Sequence, residues 1–138
     1  MKLTEVMEGV KVSSWEGAKQ AEVSSLAYDA RRVAPGSVFC TWKGHQRDGH
    51  AFVPDALQRG AVAIVAEKRL TDLSVPNIRV ASGRRALGRM AANFYGHPSR
   101  HLQVVGVTGT NGKTSTSMLM QSLLEAGGLR CGLLGTIA

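Results

Sequence analysis

Apolar residues fall in short runs separated by polar, glycine- and proline-bearing breaks, and the spacing inside each run predicts its element. Residues 20–28 hold Val23, Leu26 and Tyr28 among serines and alanines, which predicts a strand. Asp29 to Gly36 reads as a turn punctuated by Pro35-Gly36, and residues 37–42 are β-rich and predict a second strand. Residues 43–50 are polar and form a loop, while 51–58 predict a short helix that turns Phe52, Ala56 and Leu57 inward and ends at Gly60. The unbroken apolar run 61–66 predicts a buried strand, and 78–81 another, entered through Pro76. Ser82 is a good N-cap for a helix over 84–95, whose stripe of Leu87, Met90, Ala91 and Phe94 belongs in a core.

Gly96-His97-Pro98-Ser99 then supplies a linker, and a domain boundary is expected near Arg100. Beyond it, 102–105 predict a strand. A helix starting near Lys113 carries Met118, Leu119, Leu123 and Leu124 on one side and stops at Gly127-Gly128. Residues 129–137 look like the next strand, so strand, loop, helix and strand would open a βαβ unit. The fold class is therefore α/β: a first α/β domain over 1–100, then the beginning of a second α/β domain over 101–138. A complete domain of the second kind needs further strands and acidic groups for a metal, so the chain is expected to be part of a longer protein.

Composition narrows the class. The 138 residues are 43% hydrophobic and 20% charged, ordinary for a soluble α/β protein. No run approaches a membrane span, and the alternating residues 1–8 lack the apolar segment of a signal peptide, so a cytoplasmic protein without membrane insertion is expected. Cys40 and Cys131 sit in separate strand-like runs and read as buried free thiols rather than a disulfide. His45 and His50 flank a polar loop, and His97 and His101 flank a proline, which is not metal-site spacing. The net charge of +7 raises the question of nucleic acid. The basic residues are scattered and few aromatics stand between them, so no nucleic-acid partner is expected.

The candidate chemistry lies in Gly106-Val107-Thr108-Gly109-Thr110-Asn111-Gly112-Lys113-Thr114-Ser115. A glycine-rich turn leading into a helix offers backbone N–H groups and a positive dipole to phosphate oxygens. Lys113 adds a full charge where β- and γ-phosphates would lie, and Thr114 a hydroxyl that can ligate Mg²⁺. The loop reads as an ATP site built from Gly109, Thr110, Asn111, Gly112, Lys113, Thr114 and Ser115. It departs from the strict P-loop pattern, which wants glycine where Val107 stands; Gly106 is one step further back.

With that offset, the loop resembles those of the Mur ligases and their folylpolyglutamate synthetase relatives. Other blocks carry the same resemblance: Tyr28-Asp29-Ala30-Arg31-Arg32 followed by Pro35-Gly36 and Phe39; Gly44-His45-Gln46-Arg47-Asp48-Gly49-His50 followed by Phe52; Asn93-Phe94-Tyr95-Gly96-His97-Pro98; and the closing Gly-Leu-Leu-Gly-Thr-Ile. The resemblance covers nearly the whole chain but only the first third or so of a full enzyme. It implies a three-domain protein whose first domain holds the UDP end of the substrate, whose second binds ATP and whose third helps bind an amino acid. Within the family it favours the ligase that adds the third residue of the peptidoglycan stem peptide. That reaction takes ATP, Mg²⁺, a UDP-N-acetylmuramoyl dipeptide and a diamino acid, with diaminopimelate expected ahead of lysine, through an acyl phosphate. Lys113 would be catalytic and Thr114 the metal ligand.

By the same resemblance, Tyr28, Ala30 and His45-Gln46-Arg47 line the UDP site. Ala30 replaces the family's usual serine, so only backbone contact is expected there. For Asp29 and Arg31 a local ion pair is preferred to a ligand role. A monomer is expected, and the fragment alone is expected to be inactive. The alternatives are the D-alanyl-D-alanine-adding ligase, a small-molecule kinase using the same loop, and a non-catalytic UDP-sugar- or nucleotide-binding module.

Overall fold

The computed structural model describes residues 1–44 and 48–135. The chain forms two compact units, Met1–His101 and Leu102–Ala138. In chain order the first unit holds α1 (Leu3–Val6), β1 (Val12–Glu16), β2 (Ser25–Ala27), β3 (Ser37–Thr41), α2 (Val53–Gln58), β4 (Ala61–Ala66), β5 (Asn77–Val80) and α3 (Gly83–Phe94). The second unit holds α4 (Lys113–Ala126). None of the described helices is long and apolar enough to cross a membrane.

The five strands form one sheet in the order β1-β5-β4-β3-β2. β2, β3, β4 and β5 are parallel neighbours, and β1 joins β5 antiparallel at the edge. A parallel strand is covered on both faces, which is why β4 reads as a continuous apolar run. Side chains alternate along it: Ala63 and Val65 join Val38, Cys40, Ile78 and Met90 on one face, while Ile64 and Ala66 join Phe39, Ala27 and Ala30 on the other. α1 and α3 cover the first face, and α2 packs on the second.

Three expectations need correction here. First, α3 buries Gly83, Ala86, Met90 and Asn93, whereas Leu87 and Phe94 pack only partly and Ala91 is half-buried. Small residues let the helix approach closely: a Cβ on Gly83 would stand 3.0 Å from the Thr41 carbonyl oxygen. Asn93 is drawn inside because its amide donates to the Val6 and Glu8 carbonyl oxygens, at 2.9 and 2.8 Å, capping the end of α1. The Ser82 cap is present, its hydroxyl accepting from the Arg85 N–H.

Second, 102–105 and the described part of 129–137 are not strands. A strand exists only by pairing, and Val104 and Val105 stand 73% and 64% exposed without a ladder partner. At the other end of α4 the chain leaves in a Schellman turn. Gly128 takes φ +84°, its N–H donates to Glu125 O at 2.9 Å, and Leu129 N–H donates to Leu124 O at 3.0 Å. Residues 136–137 lie outside the described residues. Third, Cys131 is half-buried rather than buried, while Cys40 is sealed in β3. Burial pushes the Cys40 thiol up to about 12, so it stays protonated.

Two elements had no counterpart in the apolar pattern. α1 is a single turn closed by the Glu5 carboxylate, which accepts from the Lys2 N–H at 2.8 Å. β1 is a half-exposed edge strand, Val-Ser-Ser-Trp-Glu, with an irregular register between Val12 and Ser14.

Candidate functional site

Each unit carries one candidate site. In the first unit, a cleft of about 500 Å³ opens beside the C-terminal ends of β2 and β3, the side of a parallel sheet where ligands are commonly bound. β2 stops at Ala27, and the chain turns because Asp29 caps the short 3₁₀ turn Ala30–Arg32, accepting from the Arg31 N–H at 3.0 Å. Arg31 folds back onto the same carboxylate, its Nη2 donating at 2.7 Å. Asp29 and Arg31 are thus committed to each other. Those hydrogen bonds hold the Asp29 carboxyl down to about 2.

The turn brings Tyr28 and Ala30 onto the same cleft, with Phe39 and Phe52 as apolar lining and Asp55 and Arg59 among its polar groups beside Asp29, Arg31 and Thr41. Ala30 is buried and offers no hydroxyl. Trp42, just past β3, was not singled out from the sequence, yet its indole stacks with the Tyr28 ring at 6.2 Å and 23°. The available signal was its position at the end of a buried parallel strand. Arg84 lies over the same indole at 5.8 Å. His45, Gln46 and Arg47, also expected at this site, lie outside the described residues.

Their flanks are described. The backbones of Lys43 and Asp48 pair as an isolated antiparallel β-bridge, and Gly49 N–H donates to Trp42 O at 3.1 Å. A side chain at Gly49 would run into Thr41 Oγ1 at 2.5 Å and Trp42 O at 2.8 Å, so glycine is required for this close approach. Asp48 gathers the neighbourhood. It accepts from the His50 N–H at 3.1 Å, from His50 Nδ1 and from the Lys68 ammonium. The Lys68 backbone N–H donates to His50 Nε2 at 3.3 Å, which assigns the ring proton to Nδ1. The Lys68 ammonium, then His50, holds Asp48 well below the ordinary carboxylate range.

A pH dependence follows. Both carboxyls are depressed in the fold, so their stabilisation is complete above the unfolded value of 3.8 and disappears as pH falls through the folded values. The urea midpoint should therefore change little due to these groups from neutral pH to about 5, then fall modestly towards pH 2, because solvent screens both pairs. Asp48→Asn should flatten that fall. An unchanged acid slope in this variant would show that Asp48 contributes nothing to it.

In the second unit, Gly109, Thr110, Asn111, Gly112, Lys113, Thr114 and Ser115 are all exposed around the start of α4. Gly112 is the N-cap in a left-handed conformation, φ +76°, and contributes no side-chain cap. The first helical bond runs from Thr116 N–H to Gly112 O at 2.9 Å, leaving the N–H groups of Lys113, Thr114 and Ser115 without intrahelical acceptors. Lys113 Nζ donates to Gly109 O at 2.6 Å, which holds the ammonium over the loop. The first turn has no acidic residue. This donor set suits phosphate oxygens. The Thr114 hydroxyl, an oxygen ligand, could hold a Mg²⁺ that accompanies the phosphates.

Residues 22–95 match the family model described as Mur ligase family, catalytic domain. Over 99% of its length the chain is 44% identical to the UDP-N-acetylmuramyl-tripeptide synthetase of Roseiflexus sp. (strain RS-1), covering 27% of that protein. It is 41% identical to the UDP-N-acetylmuramoyl-L-alanyl-D-glutamate--2,6-diaminopimelate ligase of Alkaliphilus metalliredigens (strain QYMF), covering 100% of this chain and 28% of the relative. Among solved structures, a UDP-N-acetylmuramoylalanyl-D-glutamyl-2,6-diaminopimelate--D-alanyl-D-alanyl ligase from Acinetobacter baumannii is similar, with TM-score 0.63 and 28% identity over 90% of this chain and 27% of that one. A UDP-N-acetylmuramoyl-L-alanyl-D-glutamate--2,6-diaminopimelate ligase shares the fold, with TM-score 0.74 at 23% identity over 99% of this chain and 28% of that one. The chain therefore spans a little over a quarter of the length of these relatives.

Proposed function

Because the chain belongs to the Mur ligase family, we propose that it is the N-terminal part of an ATP-dependent ligase joining a diamino acid to UDP-N-acetylmuramoyl-L-alanyl-D-glutamate. The observation that carries this reading is identity of 44% and 41%, across practically the whole chain, with relatives named for that tripeptide and that addition. Residues 1–100 would hold the UDP end of the substrate, and 101–138 would begin the ATP-binding domain. The reaction would run in the cytoplasm, where ATP is supplied, with no membrane insertion and no nucleic-acid partner.

A carboxylate is a poor electrophile, and the mechanism follows from that. Transfer of the γ-phosphoryl group from ATP to the D-glutamate carboxylate releases ADP and leaves an acyl phosphate. The amine of the diamino acid attacks the carbonyl carbon, loses a proton, and inorganic phosphate departs with the former carboxylate oxygen. Lys113 would stabilise charge on the phosphoryl group in transit, exchanging its contact with Gly109 O for phosphate oxygens. The amides at the start of α4 would hold the triphosphate in line, with Gly109, Thr110, Asn111, Gly112 and Ser115 completing the cradle. Mg²⁺ at Thr114 would neutralise phosphate charge. In the first unit, Tyr28 and Ala30 would line the UDP site, together with His45, Gln46 and Arg47.

The rival D-alanyl-D-alanine-adding reading draws on the solved Acinetobacter baumannii ligase named for that addition, which is 28% identical to this chain. The 44% and 41% identity to the relatives named for the tripeptide and for the diaminopimelate addition favours the first reading. In a ligase of the relatives' full length carrying this segment, ADP release should require the UDP-linked dipeptide and a diamino acid, and the product should be an amide. Turnover with D-alanyl-D-alanine alone, or a stable phosphoester product, would overturn the assignment.

A further inference from the structure

Three aromatic and cationic groups meet at the mouth of the cleft: Trp42, which packs partly against the first core cluster, and Tyr28 and Arg84, which belong to neither cluster. Tyr28 belongs to neither core cluster and is 62% exposed, yet its ring is held nearly parallel to the Trp42 indole, 6.2 Å between centroids. Trp42 is seated against the start of α3, where a Cβ on Gly83 would lie 3.0 Å from its Cε3 atom. Arg84, the next residue of α3, places its guanidinium 5.8 Å from the indole centroid. Among the described residues Arg84 has no carboxylate partner. Its interaction with the indole face is therefore not diverted into an ion pair, and a cation there is attracted by the ring quadrupole.

Both rings line the cleft, and Phe39 and Phe52 extend its apolar surface. A pre-ordered aromatic pair at the mouth of a cleft, one ring exposed and the other half-buried, is a surface that planar heteroaromatic rings occupy by stacking. We propose that Tyr28 and Trp42 form the stacking platform for the pyrimidine ring of the substrate, and that Arg84 is a positioning residue that holds the Trp42 indole. The inference rests on the reading that the first unit binds the UDP end. It goes beyond that reading by assigning base stacking to a tryptophan paired with Tyr28, and the positioning of that tryptophan to an arginine from another element of the fold.

The test compares UDP with 5,6-dihydro-UDP by calorimetric titration of the 138-residue chain. Saturating the C5–C6 bond puckers the ring and removes its aromaticity, but leaves the O2, N3–H and O4 hydrogen-bonding groups in place. Stacking predicts that the wild-type chain prefers UDP by about tenfold. In Trp42→Leu the preference should collapse to near unity, chiefly through lost UDP affinity, and UDP should no longer quench tryptophan fluorescence. Arg84→Gln, at the exposed surface of α3, should reduce the preference by about threefold through UDP alone, on the scale of one exposed cation–π contact. A purely structural role for Arg84 would weaken both ligands equally. Retention of the full preference in Trp42→Leu or in Arg84→Gln overturns the corresponding assignment. Failure of the wild-type chain to bind either ligand instead overturns the UDP reading, and the platform with it.

Discussion

Lys113→Ala, in a ligase of the relatives' full length carrying this segment, is expected to lower kcat about a hundredfold while leaving the KM for the UDP-linked dipeptide unchanged. The argument begins with what the side chain does in the fold. Its ammonium donates to Gly109 O at 2.6 Å on an exposed loop, so removing it leaves no buried group without a partner. Folding stability should then move by no more than about 0.5 kcal/mol. The loss falls on the reaction because charge migrates across the γ-phosphoryl group as it is transferred. Removing one pre-positioned stabilising group from such a transition state costs about 3 kcal/mol, which is about two decades in rate. Circular dichroism should show α4 intact, and steady-state kinetics should show the fall in kcat. Turnover equal to wild type would remove Lys113 from the mechanism.

What could be read from the sequence divides along physical lines. β3 and β4 were legible because strands covered on both faces must be apolar throughout, and runs such as Ala-Val-Ala-Ile-Val-Ala have few other uses. The start of α3 was legible because Ser82 is a local cap, and the stop of α4 because the left-handed turn after it calls for glycine. β1 was not legible: an edge strand needs one partner and little burial, so Ser13, Ser14 and Glu16 dilute its pattern. α1 is too short for a period to register.

Asn93 went unrecognised as an inward residue because its partners, the Val6 and Glu8 carbonyls, are remote in sequence. Residues 102–105 and 129–135 show the converse. Their apolar composition fits strands, but composition supplies no partner, and among the described residues they have none. At the sites, local chemistry was readable and tertiary chemistry was not. The loop from Gly109 to Ser115 is contiguous, whereas the meeting of Tyr28, Trp42 and Arg84 depends on β2, β3 and α3 converging. Tyr28 itself was reached through resemblance rather than through any pattern.

Phe39→Ala should produce the largest loss of stability in the first unit. Phe39 is 1% exposed and is the bulkiest of the fully buried side chains. It lies beside Ile64 in the β3–β4 register and packs within the cluster that includes Ala30, Val53 and Ala56. Small alanines surround it, so its ring fills space that neighbours cannot reach by changing rotamer, and truncation leaves a cavity. Phe-to-Ala changes at such positions cost about 3–5 kcal/mol, against a total of about 5–15 kcal/mol for a domain. The melting temperature should fall by roughly 15–30 °C at the usual sensitivity for a domain of this size. Urea titration should show a lower midpoint with an unchanged slope. Tyr28→Ala serves as the contrast, because that ring faces the same cleft but is 62% exposed and outside both clusters; its stability should change by no more than about 0.5 kcal/mol. If Phe39→Ala costs less than about 1 kcal/mol, the far side of the sheet is not packed around this ring. The cleft wall above it would then lack the rigid support needed to hold the turn bearing Tyr28 and Ala30 in place.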